Sequence, residues 1–363
     1  MPIDRLFSMS ASASLFAALS LLSVPGEAVP DIDRAELIRL SLSLVKVEAV
    51  DGDGRLWLGT GVGVAPEHVV TSCHVTWHGE SIRIQQGGMR RLATAQLADT
   101  GHDLCLLLVP GLNVPPAKLG QAGDLKLGEP VFAIGFEGGL AMQARAGVVR
   151  ALHAYDGARV VESTTAFTSG ASGGALFDAD GELVAILTYR LRGDRRSYFS
   201  VPVEWLAGRL RDDQAYAAVA PLDGPLPFWQ RPTEGLPFFL RAHQLEAGAD
   251  WDGLLKLTDE WSRADDSNAE AWLFRGKSLA ETQDLAAARL AFRRAIVLDP
   301  VSSSAWLQLG RLSAQRGMTE EAQESLLRLN RLNPELAQCL EMMLQPTSAI
   351  RPDDPALSVC SAI

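Results

Sequence analysis

The sequence predicts two unlike units, an all-β sandwich or barrel followed by an all-α array of helical hairpins. Three observations predict this. From about Leu37 to Leu210 short apolar runs, such as LSLVKVEAV, EPVFAIGF and YFSVPV, recur at close spacing with Gly, Asp and Pro between them, the pattern of strands joined by turns. Pro221, Pro225, Pro227, Pro232 and Pro237 then crowd into seventeen residues and cannot propagate helix or central strand, which marks a semi-rigid connector. After Pro237 the apolar period becomes helical and residues repeat at one offset: Trp272/Trp306, Gly276/Gly310, Ala288/Ala322 and Pro300/Pro334 are each 34 apart.

Composition removes several function classes. The 363 residues carry a net charge of −11, which argues against nucleic acid, whose binding draws on Lys and Arg neutralising phosphates. With 47% hydrophobic and 21% charged residues the chain is too apolar to stay disordered, and four cysteines are too few for a disulfide-built scaffold. At the N-terminus Arg5, the apolar stretch Leu15–Val24 and small residues around Ala28 form the pattern of a secretory signal. The apolar stretch is about half the length of a membrane span, so export with no stable span after signal removal is expected, to the periplasm or the exterior. The resulting division is a signal peptide (1–28), a β domain (29–211), a Pro-rich linker (212–236), a helical domain (237–345) and a loose tail (346–363).

In the helical segment the 34-residue period resembles the tetratricopeptide repeat, whose antiparallel helix pairs place an aromatic, small residues and a closing Pro at these positions. Gly276 and Ala288 permit close helix approach and Trp272 fills the gap between helices. A weaker first unit holds Phe238, Ala242 and Trp261. The resemblance implies a concave face that binds a peptide or protein partner.

Within the β region three motifs stand in order: Thr71-Ser72-Cys73-His74-Val75, Asp103 directly before the run LCLLL, and Gly170-Ala171-Ser172-Gly173-Gly174. A serine hydroxyl needs a neutral imidazole to take its proton, and the imidazole needs a carboxylate to hold its other N–H. His74, Asp103 and Ser172 supply those three groups. The glycines flanking Ser172 let the chain turn so that the Gly170 and Ser172 N–H groups converge as an oxyanion hole. With Val131-Phe132-Ala133-Ile134-Gly135, Gly147-Val148-Val149 and Phe199-Ser200-Val201-Pro202, these motifs make residues 59–202 resemble the trypsin-like (chymotrypsin-fold) serine proteases of the HtrA/Deg branch. The resemblance implies a double β-barrel and an endopeptidase acting through an acyl-enzyme on polypeptide. Phe136-Glu137 stands where an Asn-Pro pair is usual, and helical repeats replace that branch's C-terminal peptide-binding modules.

Alignment to the family places Ala166 at the floor of the primary pocket, with Phe167 beside it, where a methyl group pairs no Lys or Arg; small or medium apolar residues before the cleaved bond are expected. Thr188, Tyr189 and Arg190 would form the edge on which a peptide adds as a strand. Arg190 either narrows the pocket mouth or is a solvated edge charge. Ala171, where relatives carry an acid or Asn, removes the familiar zymogen pairing and is expected to leave the oxyanion loop less restrained. Cys73 and Cys105 approach each other if His74 and Asp103 do, as a disulfide or as buried thiols. His68, His78, His102, His153 and His243 show no ligand spacing, so no metal or cofactor is expected. The rival to a protease is a catalytically silent scaffold that keeps the barrel while the repeats bind partners.

Overall fold

The computed structural model describes residues 33–139, 141–191, 197–207, 209–211 and 216–344. The signal at 1–28 and the tail at 346–363 lie outside the described residues. A short helix, α1 (Arg34–Ser41), leads into β1 (Leu44–Val50), β2 (Leu56–Ala65), β3 (His68–Thr71), the one-turn α2 (Cys73–Thr76), β4 (Ser81–Gln86), β5 (Met89–Leu92), β6 (Ala95–Asp99) and β7 (Leu104–Leu108). The second half of the β region holds β8 (Pro130–Glu137), β9 (Ala141–Tyr155), β10 (Ala158–Ser163), β11 (Ala175–Phe177), β12 (Leu183–Leu191) and β13 (Ser197–Pro202), then α3 (Glu204–Ala207) and β14 (Ala217–Ala218).

Two sheets result. The second closes as a six-stranded barrel, β10-β13-β12-β11-β8-β9, while the first stays an eight-stranded sheet with β14 and β5 at its edges. The strands that sequence pattern missed are the weakly apolar ones: in β4 only Ile82 and Ile84 are buried, alternating with exposed neighbours, and each sits on the inward face.

The helical part comprises α4 (Phe238–Ala247), α5 (Trp251–Ala264), α6 (Ala269–Glu281), α7 (Leu285–Leu298), α8 (Ser303–Gln315), α9 (Thr319–Leu332) and α10 (Pro334–Leu344). Both ends of α6 recur 34 positions later in α8, and those of α5 recur in α7 and again in α9. Asp250, Asn268, Asp284 and Ser302 cap α5 to α8 by accepting backbone N–H groups, each satisfying a donor that the helix itself cannot. Trp272 and Trp306 repeat one contact, their indole N–H groups donating to the carbonyls of Asp266 and Pro300 at 3.1 and 3.0 Å. A Cβ on Gly276 would meet the Phe292 ring at 2.4 Å, which is the close approach the repeat requires.

The connector is more than a spacer. Phe228 is fully buried, and it joins Tyr189, Phe199 and Phe239 in one apolar cluster that runs from the barrel into α4, α5 and α6. Burying a side chain of that size contributes about 1.5–3 kcal/mol, so the helices are docked on the barrel and not merely tethered. Among the described residues no helix is long and apolar enough to cross a membrane.

Candidate active site

The site forms where the two sheets meet. β3 ends at Thr71, and the turn α2 lifts His74 toward the start of β7. Asp103 precedes β7 with φ of +62°, a left-handed conformation that Asp tolerates better than most residues. This bend lets the Asp103 carbonyl accept the Cys73 N–H at 3.2 Å while its carboxylate turns to His74. Cys73 and Cys105 are bonded as a disulfide with Cα atoms 4.9 Å apart, which resolves the open alternative. The bridge ties the residue before His74 to β7, two residues beyond Asp103.

His74 Nδ1 lies 2.7 Å from Asp103 Oδ2, and the His74 backbone N–H donates to Oδ1 at 2.8 Å. The Thr188 hydroxyl and the Trp229 indole N–H, at 3.3 Å, also donate to Oδ2. Asp103 is fully buried, and a buried carboxylate is tolerable when its oxygens accept this many hydrogen bonds. Burial works against a charged His74, but the Asp103 charge and hydrogen bond outweigh it and hold the imidazole pKa above its ordinary value. The ring keeps 23% of its surface exposed, so its far nitrogen is free to face a substrate.

Ser172 lies in the loop between β10 and β11. Its hydroxyl donates to the Thr188 carbonyl at 3.4 Å and makes no hydrogen bond to His74. Thr188 thus touches both members, its side chain on Asp103 and its carbonyl on Ser172. The loop is firmly held. The Thr60 N–H donates to the Ser172 carbonyl at 2.8 Å, Thr60 Oγ1 to the Gly170 carbonyl at 2.8 Å, and the Gly173 N–H to the Leu187 carbonyl at 2.7 Å. Ala171 is buried and belongs to the barrel core cluster that includes Leu176 and Leu187. The expectation of a loosened loop at Ala171 is therefore corrected, because packing and Thr60 replace the missing side-chain anchor.

The Ser169 carbonyl accepts the Gly138 N–H at 2.7 Å. In a trans peptide the C=O and N–H point in opposite directions, so this bond turns the Gly170 N–H away from Gly138. Among the described residues, neither the Gly170 nor the Ser172 N–H is spent on a backbone carbonyl. The turn that holds Ser169 begins at Phe136, whose own N–H donates to Thr60 Oγ1 at 2.8 Å; the residues that depart from the family pattern here buttress the loop.

The other residues read from sequence are scattered more widely. Ala166 is exposed on the irregular segment before the nucleophile. Phe167 is buried and its ring packs on Tyr198 at 5.3 Å inside the barrel, so its side chain supports this segment from within and offers no open surface to a substrate. Thr188, Tyr189 and Arg190 lie on β12 and, among the described residues, have no partner strand opposite β13. Tyr189 is sandwiched between Phe199, centroids 4.7 Å apart, and Trp229 at 5.1 Å, so it is a platform under Trp229. Arg190 is half-buried beside Tyr198.

Sequence reasoning missed Trp229, Thr60 and the structural use of Thr188. Trp229 also stands edge-on to the His74 ring at 5.4 Å. An indole in a Pro-rich run was the available signal; nothing in the sequence ties Thr60 to the nucleophile loop 110 positions away.

The profile of the trypsin-like peptidase domain matches residues 59–186, and that of the tetratricopeptide repeat matches 269–302 and 303–336. The β region is a trypsin-like peptidase domain. Proteins named "probable periplasmic serine endoprotease DegP-like" from Halomonas elongata and Ectopseudomonas mendocina are 30% and 31% identical to the peptidase-containing part, over 43% and 40% of this chain. The chain spans about a third of the length of these relatives, 35% and 33%. Among solved structures, the active form of the Rv3671c protease from M. tuberculosis aligns with TM-score 0.46 at 22% identity, covering 61% of this chain and 97% of that one. The HtrA-type protease AlgW with a tripeptide aligns with TM-score 0.45 at 22% identity, covering 48% and 61%. A trypsin-like peptidase domain is thus followed by tetratricopeptide repeats.

Proposed function

We propose that the chain is an exported serine endopeptidase whose repeats recruit a polypeptide substrate or a protein partner. The observation that carries this reading is the His74–Asp103 pair at 2.7 Å, set one residue, Thr188, away from the Ser172 hydroxyl. In the proposed reaction Ser172 Oγ turns from Thr188 and attacks the peptide carbonyl carbon while His74 Nε2 takes its proton. The carbonyl oxygen becomes an oxyanion facing the Gly170 and Ser172 N–H groups. His74 passes the proton to the leaving amine as the C–N bond breaks, which leaves an acyl-enzyme. Water then attacks the ester with the same proton traffic, releasing a carboxylic acid and restoring Ser172. Asp103 holds Nδ1–H throughout and stabilises the imidazolium. Ala166 offers a cationic side chain no counter-charge, which supports cleavage after small or medium apolar residues. The apolar N-terminal stretch and the periplasmic names of the relatives support export.

A second reading, a silent scaffold, draws on one observation: Ser172 donates to Thr188 and not to His74. A fluorophosphonate probe separates the two. Labelling that disappears in Ser172→Ala, together with hydrolysis of an unfolded protein by the unaltered chain, supports the peptidase. A folded chain that neither labels nor hydrolyses overturns it.

A further inference from the structure

Away from the triad, the barrel and the helices meet at a cluster of titratable groups that proteolysis does not use. His153 on β9 is 1% exposed. Its Nδ1 is 2.6 Å from Oε1 of Glu270, at the start of α6, and its Nε2 is 3.1 Å from Oε2 of Glu162 on β10. His243 on α4 sits edge-on to His153, ring centroids 5.2 Å apart. Its Nε2 is 3.5 Å from Glu162 Oε2 and its Nδ1 3.9 Å from Glu246 Oε2. Two buried atoms here, His243 Nε2 and Glu270 Oε2, make no hydrogen bond. Buried polar atoms without partners are uncommon and costly, and these two belong to one cluster.

We infer that His153 Nδ1, His243 Nε2 and the Glu270 carboxylate form a site for a divalent transition metal of the zinc class. The ligand atoms of these three residues all lie within 4.8 Å of one another. A tetrahedral ion with bonds of about 2.0–2.1 Å spaces its ligand atoms roughly 3.3 Å apart, so side-chain adjustment suffices to close the set. Two imidazoles and a carboxylate match zinc's preference for nitrogen with oxygen. A histidine ligand needs a carboxylate or carbonyl behind its other nitrogen to fix ring and tautomer. Glu162 stands there for His153, and Glu246 faces His243 Nδ1 in the same sense.

The charge also fits. Glu162 and Glu270 bring two negative charges into a site walled by Phe239, stacked on His153 at 4.5 Å, and Phe274, edge-on to His243 at 5.4 Å. One dication balances them. A cleft of about 370 Å³ between barrel and repeats has Leu152, Arg159 and Glu270 in its lining, so it reaches one of the three ligands. Because His153 belongs to the barrel and the other two ligands to α4 and α6, the ion clamps the repeats to the peptidase domain. This inference does not depend on the proteolytic reading.

The test titrates Zn²⁺ alone into the full chain after chelator treatment, following binding calorimetrically and thermal stability in parallel. One zinc per chain and a raised Tm are expected. His243→Ala and Glu270→Gln should each weaken binding more than about 100-fold and erase the Tm rise, whereas Glu162→Gln should weaken it about 10- to 100-fold. Ser172→Ala should bind zinc as the unaltered chain does, which keeps this outcome separate from the question of catalysis. Absence of stoichiometric zinc, an unmoved Tm, or binding that survives the double variant His243→Ala/Glu270→Gln overturns the proposal.

Discussion

The sharpest test of the oxyanion geometry is Gly170→Ala. Gly170 has φ of +92°, and a Cβ there would lie 2.5 Å from the Phe136 carbonyl oxygen and 2.6 Å from the Gly139 nitrogen. Real Cβ contacts stay above 3.0 Å, so loop or turn must yield by about half an ångström; both are backbone, and neither can swing aside. Oxyanion donors act within a window of about 2.7–3.1 Å, narrower than that displacement. Loss of one donor costs about 10²- to 10³-fold in kcat, or roughly 2.7–4 kcal/mol. The left-handed backbone adds about 1–3 kcal/mol of strain, which appears as lost stability and not as lost turnover. Gly157→Ala separates the two effects. Gly157 has φ of +76° with open space around its Cβ position, so the control should lose stability alone. The assay compares kcat on an unfolded protein substrate with Tm for both variants. If Gly170→Ala turns over like Gly157→Ala at equal folded fraction, the Gly170 N–H is not an oxyanion donor and the reasoning fails.

Three further outcomes follow from the same geometry. His74 must be neutral to accept the Ser172 proton, and Asp103 raises its pKa, so the acid limb of the kcat/KM profile should lie above the ordinary histidine value of about 6.5; a limb below it would contradict the pairing. Trp229→Phe removes a hydrogen bond to Asp103 but keeps a ring against His74 and Tyr189. The less solvated Asp103 then holds the imidazolium more strongly, and the acid limb should move to higher pH while Tm falls, because a buried carboxylate loses a donor; a lower Tm with an unmoved limb would make Trp229 a packing residue only. Replacing Cys73 and Cys105 by Ser reopens a loop of sequence separation 32, and denaturant unfolding should register a loss of roughly 3–4 kcal/mol; an unchanged midpoint would refute it.

How much of this was legible beforehand depends on range along the chain. The glycines around Ser172 declare their need locally, and the repeat period is written in residues 34 apart, so fold class and repeat register follow from the sequence. The α4–α5 hairpin obeys that register with a weaker signature, because its outer partner is the barrel and Phe239 and Trp261 pack in the core shared with it. What could not be read is whatever depends on contacts between distant segments. Thr60 acts on a loop 110 positions away and Trp229 on a carboxylate 126 positions away. His153 and His243 looked unrelated because strand and helix bring them together only after the helices dock. Phe167 was misplaced for the opposite reason: alignment to the family set it beside Ala166 in the primary pocket, but its size and apolarity sent the side chain into the core.

The Asp103 carboxylate shows why the connector belongs to the chemistry. Four donors reach its two oxygens, the His74 backbone at Oδ1 and the His74 ring, Thr188 and Trp229 at Oδ2. Three come from the two sheets that any peptidase domain of this type would bring together. The fourth comes from the segment leading to the repeats, and its indole is set by the neighbouring Phe228, buried in the apolar cluster that Phe239 of α4 also enters. Removing that segment would leave a buried carboxylate short of one donor, at a cost greater than the bond itself is worth. The repeats therefore meet the peptidase site through packing, one buried ring from the residue that orients the base. A connector that only spaced two domains would have had no reason to place Phe228 and Trp229 there.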